Sequence, residues 1–189
     1  MRYPEEHKQA VRAKIVEAAS HALRRDGIDG VSIPALMKTV GLTHGAFYVH
    51  FADRDELVVE AARFAAERTA TEVLAAQGGS VAQMLGTYLS SEHARHPEHG
   101  CVVAALGVEG GRRRGAIGAV FGELARGFVR HVHRRLHPTS DHRRVSDDTL
   151  ELASRMVGAV VLARMVDEPA LAERILTAAR RPPSAKRGD

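Results

Sequence analysis

Apolar positions repeat at helical spacing through most of this chain. Val11, Ile15, Ala18, Ala19, Ala22 and Leu23 form one stripe of a helix from Glu5 to Asp26. Gly27 and Gly30 close it. Leu36, Met37 and Val40 mark a second, short helix, with Ser32 as its N-cap and Pro34 in the first turn, where a missing N–H costs little. Gly41 ends that helix, because glycine enters the left-handed region cheaply. Thr43 is expected to cap a third helix carrying Ala46, Phe47, Tyr48, His50 and Phe51. Phe47 and Phe51, four apart, share its inner side. Asp53 caps a fourth, through Leu57, Val58, Ala61, Phe64 and Ala65 to about Ala76.

After a break at 77–80 the periodicity predicts a helix over 81–94, with Met84, Leu85, Tyr88 and Leu89 apolar, and a short one over 100–109. Residues 110–114 read as a loop or a frayed helix end. The stripe Ile117, Val120, Phe121, Leu124, Phe128, Val132 and Leu136 predicts a long helix over 116–136. A polar linker at 137–146 precedes a helix over 147–166, and Pro169 opens a last one to about Ala179. Residues 1–4 read as a loose arm and 181–189, lacking an apolar anchor, as a disordered tail. No strand alternation or internal repeat occurs. The pattern predicts an all-α fold of about nine helices. A domain at 1–57 is followed by a second at 58–180.

Composition narrows the class. Hydrophobic residues make up 44% of 189, enough for a folded core. No apolar run approaches the ~18 residues of a membrane span, and the N-terminus lacks a signal peptide's apolar stretch. One cysteine excludes an internal disulfide, and a cytoplasmic protein is expected. The net charge of +4 is unevenly placed. Residues 1–57 balance eight Lys/Arg against eight Asp/Glu, whereas 112–144 carry nine arginines against Glu123 and Asp141. The first 25 residues nevertheless hold six basic side chains against three acidic ones, and phosphate contacts need only a few donors.

A helix, a glycine turn and a second capped helix make a helix-turn-helix, whose second helix fits the major groove. Within it, the residues Gly41, Thr43, Gly45, Phe47, Tyr48, His50, Phe51, Asp53, Arg54, Asp55, Glu56 and Leu57 resemble the recognition helix and following turn of the TetR family of bacterial transcriptional regulators. The resemblance covers about the first third of the chain. His44 departs from it, standing where the family often has lysine. Double-stranded DNA is the partner this implies. Ser32 and Thr43, at helix N-termini, suit phosphate. Tyr48 faces out if Phe47 and Phe51 face in. Lys38, His50 and Arg54 are expected to reach the backbone, and Thr43, His44 and Gly45 to meet base edges.

The same resemblance implies a homodimer built on the last two long helices. Leu150, Ala153, Val157, Gly158, Val161 and Met165, with Leu171, Ile175 and Leu176, supply a suitable face. A two-fold dimer would set its recognition helices about 34–36 Å apart on a palindromic site. It also implies an inducer, a small molecule of unspecified kind, held among the middle helices. Met84, Tyr88, Cys101, Val103, Leu106, Phe121, Leu124, Phe128 and Met156 are its candidate walls, although apolar stripes usually pack as core.

Residues 93–101 carry two sharper chemistries. His93, His96, His99 and Cys101 lie within nine residues and are possible metal ligands, but Pro97 breaks their helical geometry, so no metal and no cofactor is expected. Cys101 at a helix start offers a thiol sensor as an alternative mode of regulation, with a small buried apolar residue as the simpler reading. No P-loop, GxSxG or HExxH sequence is present, so no enzyme is expected. The leading expectation is a ligand-released repressor. The alternative of another class is a small-molecule-binding or interaction protein without DNA binding.

Overall fold

The computed structural model describes residues 5–74, 80–139 and 144–181, and every regular element among them is helical. The expected arm at 1–4, most of the break at 77–80, the middle of the linker at 140–143 and the tail from 182 lie outside the described residues. The chain divides into two compact units: Met1–Arg68 with Pro97–Leu124, and Thr69–His96 with Ala125–Asp189.

In the first unit, α1 (Glu5–Asp26) packs against α2 (Ile33–Thr39), α4 (Arg54–Arg68) and α7 (Val102–Arg112). Ile15, Ala19 and Leu23 on α1 meet Leu57, Val58, Ala61 and Ala65 of α4 in one core. The alanines let two helix backbones approach closely. Val102 and Leu106 of α7, and Ile117, Val120 and Phe121 from the first half of α8 (Gly115–Leu136), join the same core. The division therefore cuts across the boundary expected at residue 57. Residues 58–68 and 97–124 bury their apolar faces with the first domain.

Gly41 ends α2 as the sequence requires. Its φ is +77°, its N–H donates to the Lys38 carbonyl at 3.1 Å, and the Leu42 N–H donates to Met37 at 2.9 Å. This pair of bonds is the Schellman motif. The expected side-chain caps are not made, because the hydroxyls of Ser32 and Thr43 bond to no first-turn amide. The third helix is also tighter than expected. A 3₁₀ turn at His44–Ala46 leads into a single α turn, α3 (Phe47–His50).

The helix expected over 100–109 runs from Val102 to Arg112. Gly110 lies inside α7, and a Cβ there would stand 2.1 Å from the Phe121 ring, so this glycine serves close packing rather than termination.

In the second unit, Ser80 and Gln83 form a capping box at the start of α5 (Val81–Tyr88). The predicted helix over 81–94 is two helices. The chain turns at Leu89, whose carbonyl accepts from Arg180 at 2.7 Å, and Ser90 then caps α6 (Ser91–Arg95) on the His93 N–H at 3.1 Å. Arg164 closes α6 by donating to the carbonyls of His93 and Ala94 at 3.0 Å each. Serine caps and arginine anchors here override the apolar periodicity. Helix α9 (Asp147–Met165) packs on α6 and on α10 (Pro169–Ala179). A π-helical turn at Thr69–Leu74 packs on α5.

Candidate nucleic-acid interface

The candidate surface is built on two stacked rings. Phe47 and Phe51 are each 2% exposed, and their rings lie 5.3 Å apart. With these two inward, the alternate side of a single turn must face water, and Tyr48 does, at 64% exposure. The tyrosine is flanked edge-on by His44 at 5.8 Å and Phe47 at 5.2 Å, which limits its ring. Ser32, Lys38, Thr43, His44 and Gly45 are all exposed. A Cβ on Gly45 would meet nothing within 4 Å, so the fold does not require glycine there. Val49, 62% exposed beside Tyr48, belongs to the same face. Sequence reasoning gave it no place, since the inward spacing was drawn from Phe47 and Phe51 alone.

Two assigned contacts are placed differently. The Arg54 guanidinium donates to the carbonyl of Ile28, so it ties α4 to the turn after α1 rather than pointing to solvent. His50 is half-buried, its carbonyl accepts from Arg12, and its Nδ1 is buried without a hydrogen-bond partner. Desolvation, with Lys8 and Arg12 adding to it, holds its pKa below the ordinary histidine value of 6.5, which favours the neutral ring near pH 7.

Most described arginines of this domain are engaged internally. Arg12 pairs with Glu56 and Glu60. Arg24, 4% exposed, donates to the Gly100 carbonyl at 2.8 Å. Arg25 pairs with its neighbour Asp26. Lys8, Lys14 and Lys38 remain as exposed cations. On the far side of the recognition turn, Glu56 accepts from the Ala52 N–H at 2.7 Å, and Asp53 accepts from the Glu56 N–H at 2.8 Å. The Ala52 amide, then Arg12, hold the Glu56 carboxyl below its usual range.

The candidate pocket residues fall into two groups. Leu106 and Phe121 belong to the first unit's core, Val103 and Leu124 pack against it, and Cys101 in the same unit is 1% exposed. Met84, Tyr88, Phe128 and Met156 are buried in the second unit, where the Tyr88 ring meets Phe128 at 5.6 Å and His93 at 4.7 Å. Of the dimer candidates, Met165 (75%), Leu150 (46%) and Leu171 (36%) are exposed. Leu162, not foreseen, joins them at 53%. Val157, Gly158, Val161 and Ile175 are half-buried. Ala153 is buried inside its own chain at 3% exposure, because it lies on the side of α9 that faces inward. Leu171 and Ile175 also line an open groove along α10.

The histidine cluster does not assemble a ligand set. His93 bonds the Tyr88 carbonyl, His96 lies 3.5 Å from Glu92, and His99 meets His21 edge-on. Among the described residues no group of three or more His, Cys, Asp or Glu is arranged to hold a metal ion. None of their helices is long and apolar enough to cross a membrane.

Residues 15–61 match the family described as bacterial regulatory proteins, tetR family. Over 67 residues the chain is 37% identical to the HTH-type transcriptional repressor AcnR of Corynebacterium diphtheriae, a match covering 35% of each chain. The chain thus spans about a third of the length of that curated relative. A TetR transcriptional regulator from Chloroflexus aurantiacus superposes with a TM-score of 0.71 at 22% identity, covering 93% of this chain and 94% of that one. AibR, solved in complex with isovaleryl coenzyme A and operator DNA, superposes with a TM-score of 0.64 at 14% identity, covering 90% and 96%. Residues 15–61, whose exposed turn and buried phenylalanines are described above, form a domain of the tetR family of bacterial regulatory proteins.

Proposed function

We propose that the protein is a transcriptional regulator that binds a palindromic operator as a homodimer, represses from it and is released by a small molecule. The observation that carries this is the exposure of Thr43, His44, Gly45 and Tyr48 around the buried Phe47–Phe51 pair. Thr43, His44 and Gly45 approach base edges, and Tyr48, Ser32 and Lys38 meet phosphate. Val49 adds an apolar contact suited to a thymine methyl.

Dimerisation is supported by the large apolar side chains left exposed on two packed helices, Leu150, Leu162 and Met165 on α9 and Leu171 on α10. Release by a small molecule is supported by the fold's likeness to AibR, whose structure holds both isovaleryl coenzyme A and operator DNA. Regulation through Cys101 is not favoured, because a thiol at 1% exposure is closed to solvent-borne oxidants.

The test is selection of duplexes from a random library by the purified full chain, followed by titration across salt. A two-fold symmetric consensus with half-sites about one helical turn apart supports the proposal. Enrichment of no sequence sinks it in favour of a binding protein without DNA recognition.

A further inference from the structure

We propose that Arg12 is the positioning residue of the recognition turn, fixing its end from α1 without touching DNA, an inference that rests on the DNA-binding reading above. The guanidinium joins three elements. Through Nη1 it donates to the carbonyl of His50, the last residue of α3. Through Nη2 it donates to Glu56, at 2.7 Å, and to Glu60, both on α4. Its carbon lies 4.2 Å above the centroid of the Phe51 ring, a cation–π arrangement.

The need for such a tie follows from the size of α3. A helix of four residues has no interior hydrogen-bond ladder, so isolated turns of this length do not persist in water. Its last carbonyls also lack intrahelical partners. The 3₁₀ turn before it supplies no side-chain cap. Beyond it the backbone extends at Phe51, with φ −133° and ψ 138°. Arg12 takes the orphan carbonyl on one side of this corner, while its partner Glu56 takes the Ala52 N–H on the other. Phe51 is held between them. The corner that aims Tyr48 and Val49 outward is therefore closed by one arginine and one glutamate.

The same contacts turn three of the Arg12 donors away from phosphate. A guanidinium has five N–H donors in a fixed plane. Here both Nη2 hydrogens face carboxylates and an Nη1 hydrogen faces a carbonyl. Lysine carries the charge but not the fork, so it cannot reach all three acceptors at once.

The experiment compares wild type with Arg12→Lys and Arg12→Ala in the full-length chain. The probe is the duplex enriched by the wild-type protein, titrated between about 50 and 200 mM salt. Both variants are expected to lose at least ~10-fold in affinity at every salt concentration, with plots of log affinity against log salt parallel to wild type. Amide exchange at 47–52 is expected to rise, while 15–23 stays protected. A salt slope that flattens by about one per site would mean that Arg12 contacts phosphate, and overturns the proposal. So does Arg12→Lys with wild-type affinity and exchange. The exchange arm needs no DNA. If wild type enriches no duplex yet exchange at 47–52 still rises, the DNA reading falls and the positioning role stands. If Arg12→Ala does not fold, Arg12→Lys carries both arms.

Discussion

The Glu109 carboxylate accepts a hydrogen bond at 2.8 Å from the backbone N–H of Ile28. Ile28 follows Gly27, whose φ of +84° ends α1, and it is itself 0% exposed. The carbonyl of the same residue accepts from Arg54, and Asp29 pairs with Arg113. The turn that delivers the chain into the helix-turn-helix is thus held by side chains of α4 and the α7 end. Glu109→Ala leaves a buried N–H without its acceptor and is expected to lower stability by about 1 to 2 kcal/mol. Glu109→Gln, which keeps an oxygen in place, is expected to lose less. Denaturant unfolding of the two variants against wild type checks the order.

Gly45 separates fold from recognition. Because a Cβ there touches nothing within the protein, Gly45→Ala is expected to keep or slightly raise thermal stability. On the selected duplex it is expected to weaken binding about 10-fold or more, since the added methyl stands where base edges approach. Equal affinity for the two proteins would remove Gly45 from the interface.

Salt dependence should be shallow for a regulator of DNA. Lys8 and Lys14 are exposed beside Lys38, and six such lysines in the proposed dimer, each neutralising one phosphate, set an upper slope of about −5 in log affinity against log salt. Lys38→Ala, removing two charges per dimer, is expected to reduce that slope by about 2. A slope unaltered by Lys38→Ala would place this lysine away from phosphate.

Acid should destabilise the second unit through His131. Burial, then repulsion from Arg134 and Arg135, holds its pKa in the folded chain below the ordinary value of 6.5. In the window between the two values the unfolded chain binds more protons, so stability rises with pH across it. The contribution is complete above about pH 6.5 and is lost as pH falls through the folded value. His131→Gln is expected to flatten the pH dependence of unfolding between about pH 7.5 and 5.5. An unchanged slope would exclude His131 as its source.

Leu162→Glu combined with Met165→Glu is expected to convert the proposed dimer to a monomer in sedimentation velocity, with little loss of helix content. Both side chains are more than half exposed in the single chain, so neither supports its core. Persistence of the dimer would move the interface elsewhere.

Where periodicity and covalent geometry decide, the sequence was readable. Gly41 needs its positive φ, the α1 stripe needs its partner, and the Phe47–Phe51 spacing determines which way Tyr48 points. Three features escaped it because long-range chemistry decides them. Arg180 and Ser90 interrupt the run at Leu89, a break that apolar spacing conceals. Gly110 resembled a helix end, yet its missing side chain makes room for the Phe121 ring eleven positions later. Arg12 and Arg54 read as surface cations, although both close internal corners by reaching carbonyls remote in sequence. Val49 was hidden for a different reason. An exposed apolar residue on a one-turn helix has the same composition as a core one.

The brevity of α3 bears on any attempt to redirect this protein. A single turn anchored by an arginine 35 or more positions upstream and by a carboxylate on the next helix is not a portable cassette. Moving 44–49 alone into another scaffold would carry the side chains proposed to read DNA and leave behind the bracket that aims them. A working transplant has to include α1 and the start of α4, and its minimal unit is the whole head.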